Sequence, residues 1–227
     1  MSAKPTILIA GASRGIGLAL VGRFAERGWR VLGTARDIGA GAAISKAGGE
    51  VHLCDVADAG SVARLGASLA KESIDVLLCN AGIYGPRDWK LGATDYAAWE
   101  QVLKVNVFGP MRLVEAFIEP VARSTRKTIV TTSSRMGSIA LHAGGAPIYR
   151  SSKAAVNLIA KGWSVDLAAR GIVSVVYHPG WVQTDMGGPS ATLTVADSTA
   201  AVAKLIDGLR PEDNGKFFDY DGKELPW

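Results

Sequence analysis

Seven short apolar runs, separated by longer stretches with helical spacing, extend along the whole chain. Most of the runs are nearly continuous in Val, Ile and Leu, which is typical of strands buried on both faces of a parallel sheet. Regular alternation of such strands with helices predicts an α/β protein with a doubly wound sheet. The predicted strands are residues 6–10, 30–34, 51–54, 75–79, 128–132, 173–177 and 216–219, and the predicted helices are 16–27, 61–71, 96–121, 148–170 and 195–209.

Composition narrows the class of protein. The 227 residues are 48% apolar and 20% charged, without a linker or a repeat, so we predict a single globular domain over residues 1–227. The net charge of +4 is spread along the chain and predicts neither a nucleic-acid partner nor a membrane surface. No apolar stretch approaches the roughly 18 residues of a membrane span. Two cysteines form no disulfide framework, and the run at 6–10 is too short for a signal peptide, so we expect a cytoplasmic protein.

A glycine-rich turn follows the first predicted strand. It is Gly11-Ala-Ser-Arg-Gly15-Ile-Gly17, and a predicted helix follows directly. Glycines let the backbone approach a pyrophosphate, and the first N–H groups of a helix favour an anion. A glycine-rich turn without a ligand is the alternative, which the strand–turn–helix context disfavours. The turn predicts a dinucleotide phosphate site at Gly11, Ser13, Arg14, Gly15, Ile16 and Gly17.

The end of the second predicted strand bears on the choice between NAD(H) and NADP(H). An NAD site usually places an acidic residue there, roughly 20 residues past the glycines, to bind the adenosine ribose. This chain has Ala35 and Arg36 instead, and Arg14 lies in the glycine turn. Two guanidinium groups suit a 2′-phosphate, so we predict NADP(H). Asp37, one position later, favours NAD(H), and two solvated surface arginines are the alternative interpretation.

Small and polar residues follow the third and fourth predicted strands. Asp55, which precedes Val56, is suited to accept a hydrogen bond from an adenine amino group, and equally to begin a helix or form a turn. Asn80, Ala81 and Gly82 follow the fourth strand, where small residues let the chain pass close to a cofactor ribose. We predict all five as cofactor-binding residues.

The pair Tyr149 and Lys153 is the strongest indication of catalysis. A spacing of four places both side chains on one face of a helix, one turn apart. A nearby ammonium favours the phenolate, so we expect Lys153 to lower the pKa of Tyr149 from about 10. Such a tyrosine is suited to general acid–base catalysis.

The fifth predicted strand ends in two serines, Ser133 and Ser134. A hydroxyl at the carboxyl end of a parallel strand faces the ligand crevice. We predict that Ser134 binds the reacting oxygen, with Ser133 as the alternative. No Gly-x-Ser-x-Gly motif surrounds them, which disfavours a serine hydrolase. The three histidines lack metal-ligand spacing, so no metal site is predicted.

Further polar positions complete the predicted site. Asn106 stands among apolar neighbours in a predicted helix, which indicates a buried hydrogen-bonding role. After the sixth predicted strand, Pro179 and Gly180 turn the chain across the crevice. The backbone of Val182 and the side chain of Thr184 are then placed to bind a carboxamide.

This ordered set of motifs resembles the short-chain dehydrogenase/reductase family over essentially the whole chain. The motifs are the turn at 11–17, Asp55, Asn80-Ala81-Gly82, Asn106, Ser134, Tyr149, Lys153 and Pro179-Gly180. Residues 178–188 and 219–227 look like the C-factor and sniffer-type carbonyl reductase subgroup. The resemblance implies a single-domain Rossmann fold with a seven-stranded parallel sheet in the order 3-2-1-4-5-6-7. Two departures are Cys79, where asparagine is common, and a slightly long separation between Ser134 and Tyr149.

The resemblance also implies a role for each catalytic residue. Tyr149 would be the general acid in carbonyl reduction and the base in alcohol oxidation. Lys153 would lower its pKa and bind the nicotinamide ribose, Ser134 would hold the substrate oxygen, and Asn106 would hold a water that connects Lys153 to solvent. Val182 and Thr184 would hold the nicotinamide carboxamide.

Three activities remain open at this point. The resemblance implies NADPH-dependent reduction of a ketone or aldehyde by hydride transfer. An NADP-binding signalling or scaffold protein of the C-factor type is the alternative, although such a protein has no need of an intact catalytic set. Net alcohol oxidation is the third, because one site catalyses both directions.

Aromatic residues near the predicted crevice favour an apolar or aromatic small-molecule substrate. Arg87 and Lys90 leave a charged substrate open. The family usually assembles through the helices that hold Asn106 and Tyr149, so we expect a homodimer or homotetramer. The residues predicted to contact substrate are Tyr84, Trp181, Met186 and His142, the last with a surface loop position as its alternative.

Overall fold

The computed structural model describes residues 4–227, which form one seven-stranded parallel sheet in the order β3-β2-β1-β4-β5-β6-β7. This confirms the predicted doubly wound fold and its strand order. The strands are β1 Thr6–Ala10, β2 Arg30–Ala35, β3 Glu50–Leu53, β4 Val76–Cys79, β5 Thr128–Thr132, β6 Val173–His178 and β7 Phe217–Asp219. The helices are α1 Gly15–Glu26, α2 Ile38–Lys46, α3 Ala59–Ser68, α4 Tyr96–Leu103, α5 Gly109–Ala122, α6 Pro147–Asp166 and α7 Val195–Gly208.

Helices cover both faces of the sheet, and each face has its own hydrophobic core. On one face, Leu113 and Phe117 of α5 and Trp163 of α6 pack against the strands. On the other face, Phe24 of α1 and Ile206 of α7 do so. Burial on both faces explains why the central strands are continuously apolar. No helix in the described residues is long and apolar enough to cross a membrane.

Helix α2 is not among the helices that the sequence predicts. Glycine disfavours a helix interior, and Gly39 and Gly41 both lie in this short segment. The structure shows why position 41 has no side chain: a Cβ there would lie 2.5 Å from Cγ1 of Val51. Packing against β3 therefore decides this helix against its local propensity.

The predicted helices at 96–121 and 148–170 are each interrupted. Lys104–Phe108 forms a π-helical segment between α4 and α5, and α6 ends at Asp166 before a short 3₁₀ turn at Ala168–Arg170. π-helical segments are rare and frequently occur at functional sites. The segment here contains Asn106, one of the predicted catalytic residues.

Strand β1 pairs with both β2 and β4, so the order of strands reverses on either side of it. In an open parallel sheet, ligands bind beyond the carboxyl ends of the strands at such a switch point. The fold therefore places the glycine turn after β1 and the polar ends of β2, β4 and β5 around one crevice.

Candidate functional site

A cavity of about 540 Å³ lies at the carboxyl ends of the strands. It contains most of the residues that the sequence analysis predicted to bind a cofactor. These are Gly11, Ser13, Arg14, Gly15, Ile16, Gly17, Arg36, Asp55, Val56, Asn80, Ala81, Gly82, Tyr149, Lys153, Pro179 and Thr184. Gly180 and Val182 do not line it.

The glycine turn packs closely against its neighbours. Gly11 donates its N–H to Oγ1 of Thr34 at 3.0 Å, and its carbonyl accepts from Nδ2 of Asn80 at 2.9 Å. A Cβ on Gly17 would lie 2.1 Å from the Gly11 carbonyl oxygen, so no side chain fits there. Helix α1 begins at Gly15 without a side-chain cap. Its first N–H groups are therefore available to an anion in the cavity.

Arg14 has a partner that the sequence did not indicate. Its Nη1 lies 2.5 Å from Oδ2 of Asp185, and both residues line the cavity. The ion pair joins the glycine turn to the segment after β6. Both side chains are exposed, and exposed ion pairs contribute little stability. Arg14 can therefore exchange this carboxylate for a phosphate with little loss of stability.

Arg36 and Asp37 differ in what they contact. Arg36 is exposed, lines the cavity and forms no ion pair within residues 4–227. The Asp37 side chain instead caps α2, where Oδ1 accepts from the Ala40 N–H at 2.8 Å. The acidic group that favoured NAD(H) is thus committed to a helix N-terminus.

Asp55 forms a turn, one of the alternatives that the sequence left open. Its Oδ1 accepts from the Ala57 N–H at 2.9 Å, and its own N–H donates to Oγ of Ser61 at 3.0 Å. Helix α3 is capped by Asp58 and not by Asp55. Asp55 still lines the cavity next to Val56, so the turn and a ligand contact are compatible.

Asn106 is buried in the π-helical segment and has partners for both of its amide atoms. Its Oδ1 accepts from the Ile83 N–H, and its Nδ2 donates to the Ile83 carbonyl, both at 2.9 Å. Nδ2 also donates to Oγ of Ser152 on α6 at 3.0 Å. The residue thereby connects the segment after β4 to the helix that carries Tyr149 and Lys153.

Tyr149 lies at the start of α6 with its ring stacked on Tyr84, with centroids 4.5 Å apart. Burial raises the pKa of Tyr149 to about 12, while a hydrogen bond with the Ser134 side chain acts in the opposite direction. Burial sets the direction of this shift, so the lowering of the Tyr149 pKa that was expected from Lys153 is not found in this structure. Of the two predicted serines, Ser134 interacts with Tyr149, whereas Ser133 lines the cavity.

Lys153 is buried beneath the cavity. Its Nζ donates to the Thr132 carbonyl at 2.9 Å and lies 5.7 Å from the centroid of the Tyr149 ring. Burial without a carboxylate partner lowers the pKa of Lys153 to about 8. The carbonyl at the end of β5 thus holds an ammonium one helical turn from Tyr149.

The segment after β6 is internally bonded at the positions predicted to hold a carboxamide. The Val182 carbonyl accepts from the Thr184 N–H at 2.8 Å, and Thr184 Oγ1 accepts from the Gly187 N–H at 3.1 Å. Gly180 serves the turn, since its φ is +86° and a Cβ would lie 2.3 Å from Leu193. Only Pro179 and Thr184 of the four predicted residues reach the cavity.

The predicted substrate residues differ in whether they line the cavity. Met186 lines the cavity, whereas Tyr84 lies behind Tyr149 as its stacking partner. Trp181 is 52% exposed and donates from Nε1 to the Gly187 carbonyl. His142 lies in an exposed turn, where Nδ1 accepts from the Gly144 N–H, so the loop alternative describes its position.

Several cavity residues escaped the sequence analysis as site residues. Most of them are apolar or carry no reactive group, so no motif marked them. They are Thr34, Ala35, Cys54, Ile83, Gln101, Val105, Thr132, Gln183, Asp185 and Val195. The strand ends at residues 34–35 and 132–133 were the available signal, because neighbours of a predicted strand end share its crevice. Among residues 4–227, no three His, Cys, Asp or Glu side chains gather as metal ligands.

Comparison with known proteins agrees with this geometry. The family model described as short chain dehydrogenase matches residues 5–192, which include the glycine turn, Tyr149 and Lys153. The chain belongs to the short chain dehydrogenase family. It is by this membership an oxidoreductase, as the sequence resemblance implied.

Three relatives of this short chain dehydrogenase are informative. The C-signal protein of Myxococcus xanthus is 46% identical over 156 residues, 68% of this chain and 93% of its own length. A short-chain dehydrogenase/reductase of Burkholderia multivorans, solved with bound NADP, has a TM-score of 0.92 at 31% identity and covers 99% of this chain and 100% of its own. Carbonyl reductase Sniffer of D. melanogaster has a TM-score of 0.93 at 31% identity, with the same coverage. These similarities confirm the predicted C-factor and sniffer-like resemblance.

Proposed function

We propose that this short chain dehydrogenase is an NADP(H)-dependent carbonyl reductase, acting reversibly on small ketones, aldehydes and the corresponding alcohols. The observation that carries the proposal is that one cavity contains two sets of residues, one suited to bind a dinucleotide phosphate and one suited to acid–base catalysis. The glycine turn and the start of α1 form one end of it, and Tyr149 and Lys153 lie at the other. An anion-binding turn beside a general acid is the arrangement that hydride transfer from a dinucleotide needs.

The residues present fit a dinucleotide. Gly17 cannot carry a side chain, so the backbone of the turn is open to a pyrophosphate, and the uncapped N–H groups of α1 lie beside it. A Cβ on Gly82 would lie 3.5 Å from Oδ1 of Asn106 and 3.6 Å from Nζ of Lys153. The chain after β4 therefore passes close to the proposed catalytic side chains, leaving room for a ribose.

Arg36 supports NADP(H) over NAD(H). It lines the cavity just beyond β2 without an acidic partner, while the Asp37 carboxylate caps α2. Arg14 lies in the same cavity and is held only by an exposed ion pair. The NADP bound by the Burkholderia multivorans protein, at 31% identity, agrees with this choice.

In the proposed reaction the bound NADPH supplies a hydride to the carbonyl carbon. Tyr149 donates its proton to the carbonyl oxygen, since a pKa of about 12 keeps the phenol protonated at neutral pH. Ser134, which already interacts with that hydroxyl, binds the same oxygen. Lys153 places a positive charge beneath Tyr149 and favours the phenolate left after proton transfer. Asn106 holds α6 against the segment after β4.

The test is a substrate screen. The protein is mixed with NADPH and a panel of aromatic and aliphatic aldehydes and ketones, and the loss of NADPH absorbance is followed. We expect turnover of several members and a preference for those with an aromatic or apolar frame. Absence of turnover with every member, for protein that binds NADPH, would contradict the proposal. The cofactor pool decides the net direction in the cell, so the alcohols are tested with NADP⁺ in parallel.

The similarity to the C-signal protein supports a second candidate, an NADP-binding signalling protein with little turnover. The intact set of Ser134, Tyr149, Lys153 and Asn106 argues against it, because binding alone does not require a buried acid and base. A single-turnover assay separates the two candidates. Hydride transfer from stoichiometric NADPH identifies an enzyme, whereas tight binding without transfer identifies the signalling candidate.

We also propose that the protein forms a homodimer through α5 and α6. Four apolar side chains on and beside these helices are exposed: Phe108 at 47%, Met111 at 37%, Leu158 at 75% and Val165 at 70%. A second copy of the chain is the partner that covers them. Leu158→Arg should convert a dimer to a monomer in analytical ultracentrifugation, and an unchanged mass would contradict this interface. The cytoplasmic location stays a prediction from the sequence.

A further inference from the structure

One cation beside the cavity has no acidic partner. Arg87 lies in the segment between β4 and α4, is exposed, and donates a hydrogen bond from Nη2 to the Met186 carbonyl. Within residues 4–227 it forms no ion pair. A guanidinium has five N–H donors, so most of them lack a protein acceptor.

Tyr84 connects this cation to the proposed catalytic tyrosine. Cζ of Arg87 lies 4.8 Å from the centroid of the Tyr84 ring, and that ring stacks on Tyr149 with centroids 4.5 Å apart. The two distances together place the guanidinium within about 9 Å of the Tyr149 ring. A substrate whose carbonyl lies at the Tyr149 hydroxyl therefore has a cation within reach of a group several carbon atoms away.

The charges nearby do not neutralise Arg87. Asp88 and Lys90 follow it in the same segment, and neither forms an ion pair in the described residues. Asp185, in the facing segment after β6, is bound by Arg14. The facing segment also presents the apolar side chain of Met186, which is 36% exposed.

We propose that Arg87 binds a carboxylate of the substrate, so that the preferred substrates are carbonyl compounds that carry a carboxylate on an aromatic or apolar frame. This inference rests on the proposed carbonyl reductase function. The planar fork of arginine matches a carboxylate with two parallel hydrogen bonds. The carboxylate takes no part in the reaction: the carbonyl carbon gains a hydride, the oxygen gains the Tyr149 proton, and the carboxylate orients the frame.

A purely structural role is the competing explanation. Arg87 bridges the segment after β4 and the segment after β6 through the Met186 carbonyl, so it would then hold the two walls of the pocket together. A structural role affects every substrate equally, whereas recognition affects only those with a carboxylate. Two matched substrates therefore separate the two roles.

The experiment compares 4-formylbenzoate with methyl 4-formylbenzoate, which share the aldehyde and the ring and differ in charge. Steady-state kinetics with NADPH are measured for the wild type, Arg87→Gln, Arg87→Lys and Lys90→Gln. Arg87→Gln keeps an amide donor for the Met186 carbonyl but loses the charge. Lys90→Gln is the matched control, because it removes an exposed cation three residues away.

Wild-type protein should have the higher kcat/KM for the carboxylate. Arg87→Gln should lower that kcat/KM by at least about tenfold, mainly through KM, since the net contribution of a charged hydrogen bond supports a factor of this size. It should leave the ester nearly unchanged, Arg87→Lys should restore part of the loss, and Lys90→Gln should have little effect on either. Equal losses for both substrates, or a wild-type preference for the ester, would overturn the proposal.

A binding measurement separates failure of this inference from failure of the proposed function. Benzoate and methyl benzoate are titrated calorimetrically into wild type and Arg87→Gln, each saturated with NADP⁺. If neither aldehyde is reduced, the reductase function fails, and charge-dependent benzoate binding that is lost in Arg87→Gln still supports the anion site. Benzoate binding that is absent, or equal in both proteins, overturns it.

Discussion

Asn106 pairs with both backbone groups of Ile83, accepting from its N–H and donating to its carbonyl at 2.9 Å each. The Asn106 side-chain amide thus makes the two hydrogen bonds that a neighbouring backbone would otherwise make to Ile83, in the segment after β4. Asn106 itself is 1% exposed. This bridge lies directly under the cavity wall formed by Gly82 and Ile83.

Replacement of Asn106 should therefore affect both stability and activity. Asn106→Leu removes the side-chain partner of both the Ile83 N–H and the Ile83 carbonyl, and should lower the free energy of unfolding by about 1–3 kcal/mol. Urea denaturation measures this, and kcat should fall in parallel at temperatures where the variant stays folded. Ser152→Ala is the matched control, because it removes a single partner of Asn106 and should lower the free energy of unfolding by about 0.5–1.5 kcal/mol. Equal losses in both variants would show that the Ile83 bridge contributes little.

Tyr149→Phe removes the proposed proton donor and keeps the ring that stacks on Tyr84. We expect kcat to fall by about 10²–10⁴-fold, the usual contribution of general acid catalysis, with the Kd for NADPH nearly unchanged. Stopped-flow hydride transfer and fluorescence titration measure the two quantities. Tyr84→Phe preserves the same stacking and should retain most of the activity. A Tyr149→Phe enzyme close to wild type would eliminate Tyr149 as the acid.

Lys153 should make stability depend on pH in the alkaline range. Burial lowers its pKa from 10.5 to about 8, so between those values the unfolded chain binds more protons than the folded one. Stability should then rise with pH across that window, and below pH 8 the folded state carries a buried ammonium. Lys153→Met should abolish this rise and increase the free energy of unfolding at pH 7 by about 1–3 kcal/mol.

Urea denaturation at several pH values from 7 to 10.5 checks this dependence. Lys204→Met, at an exposed position on α7, is the control and should keep the wild-type profile. An unchanged profile in Lys153→Met would mean that other groups cause the dependence. Loss of activity in the same variant is expected, because a stabilising change at a catalytic position commonly costs function.

Arg36→Asp should reverse the cofactor preference. The substitution removes a cation from the cavity wall and adds a carboxylate that repels a 2′-phosphate and accepts from ribose hydroxyls. We expect kcat/KM for NADPH to fall by at least about tenfold, while that for NADH is unchanged or higher. Lys71→Asp, an exposed position outside the cavity lining, controls for the change in net charge. Equal effects on the two cofactors would refute the 2′-phosphate assignment.

Much of the fold was predictable because its signals are local. Most strands are predictable from their own runs of Val, Ile and Leu, β7 with Phe217 and Phe218 being the exception, and the observed boundaries agree to within one residue. Helix α2 was missed, because Gly39 and Gly41 oppose a helix locally and packing on Val51 decides in its favour. The break between α4 and α5 was not predictable either, since the π-helical segment that contains Asn106 has no apolar periodicity of its own.

The candidate site, like the fold, was predictable only in part. The order of the motifs predicts that Gly11–Gly17, Tyr149 and Lys153 serve one site, and the fold brings them to one cavity. The sequence did not reveal that Asp37 caps a helix, or that Asp185 binds Arg14 across 171 positions. These contacts depend on side-chain directions that are set only when distant segments pack together.

The sequence by itself determined the alternation of strands and helices and the identity of the chemical groups, because these are properties of neighbouring residues. The family and the strand order were implied by the resemblance that the ordered motifs carry. Tertiary structure alone decided the pKa values of the chemical groups and the partners they bind. Burial raises the pKa of Tyr149, where a lysine four residues away predicted the opposite, and it lowers the pKa of Lys153. The free energy of a buried charge depends on everything packed around it, which no local pattern specifies. The same packing leaves Arg87 beside Tyr84 without an acidic partner in the described residues. This position of Arg87 is the ground for proposing a substrate that carries a carboxylate.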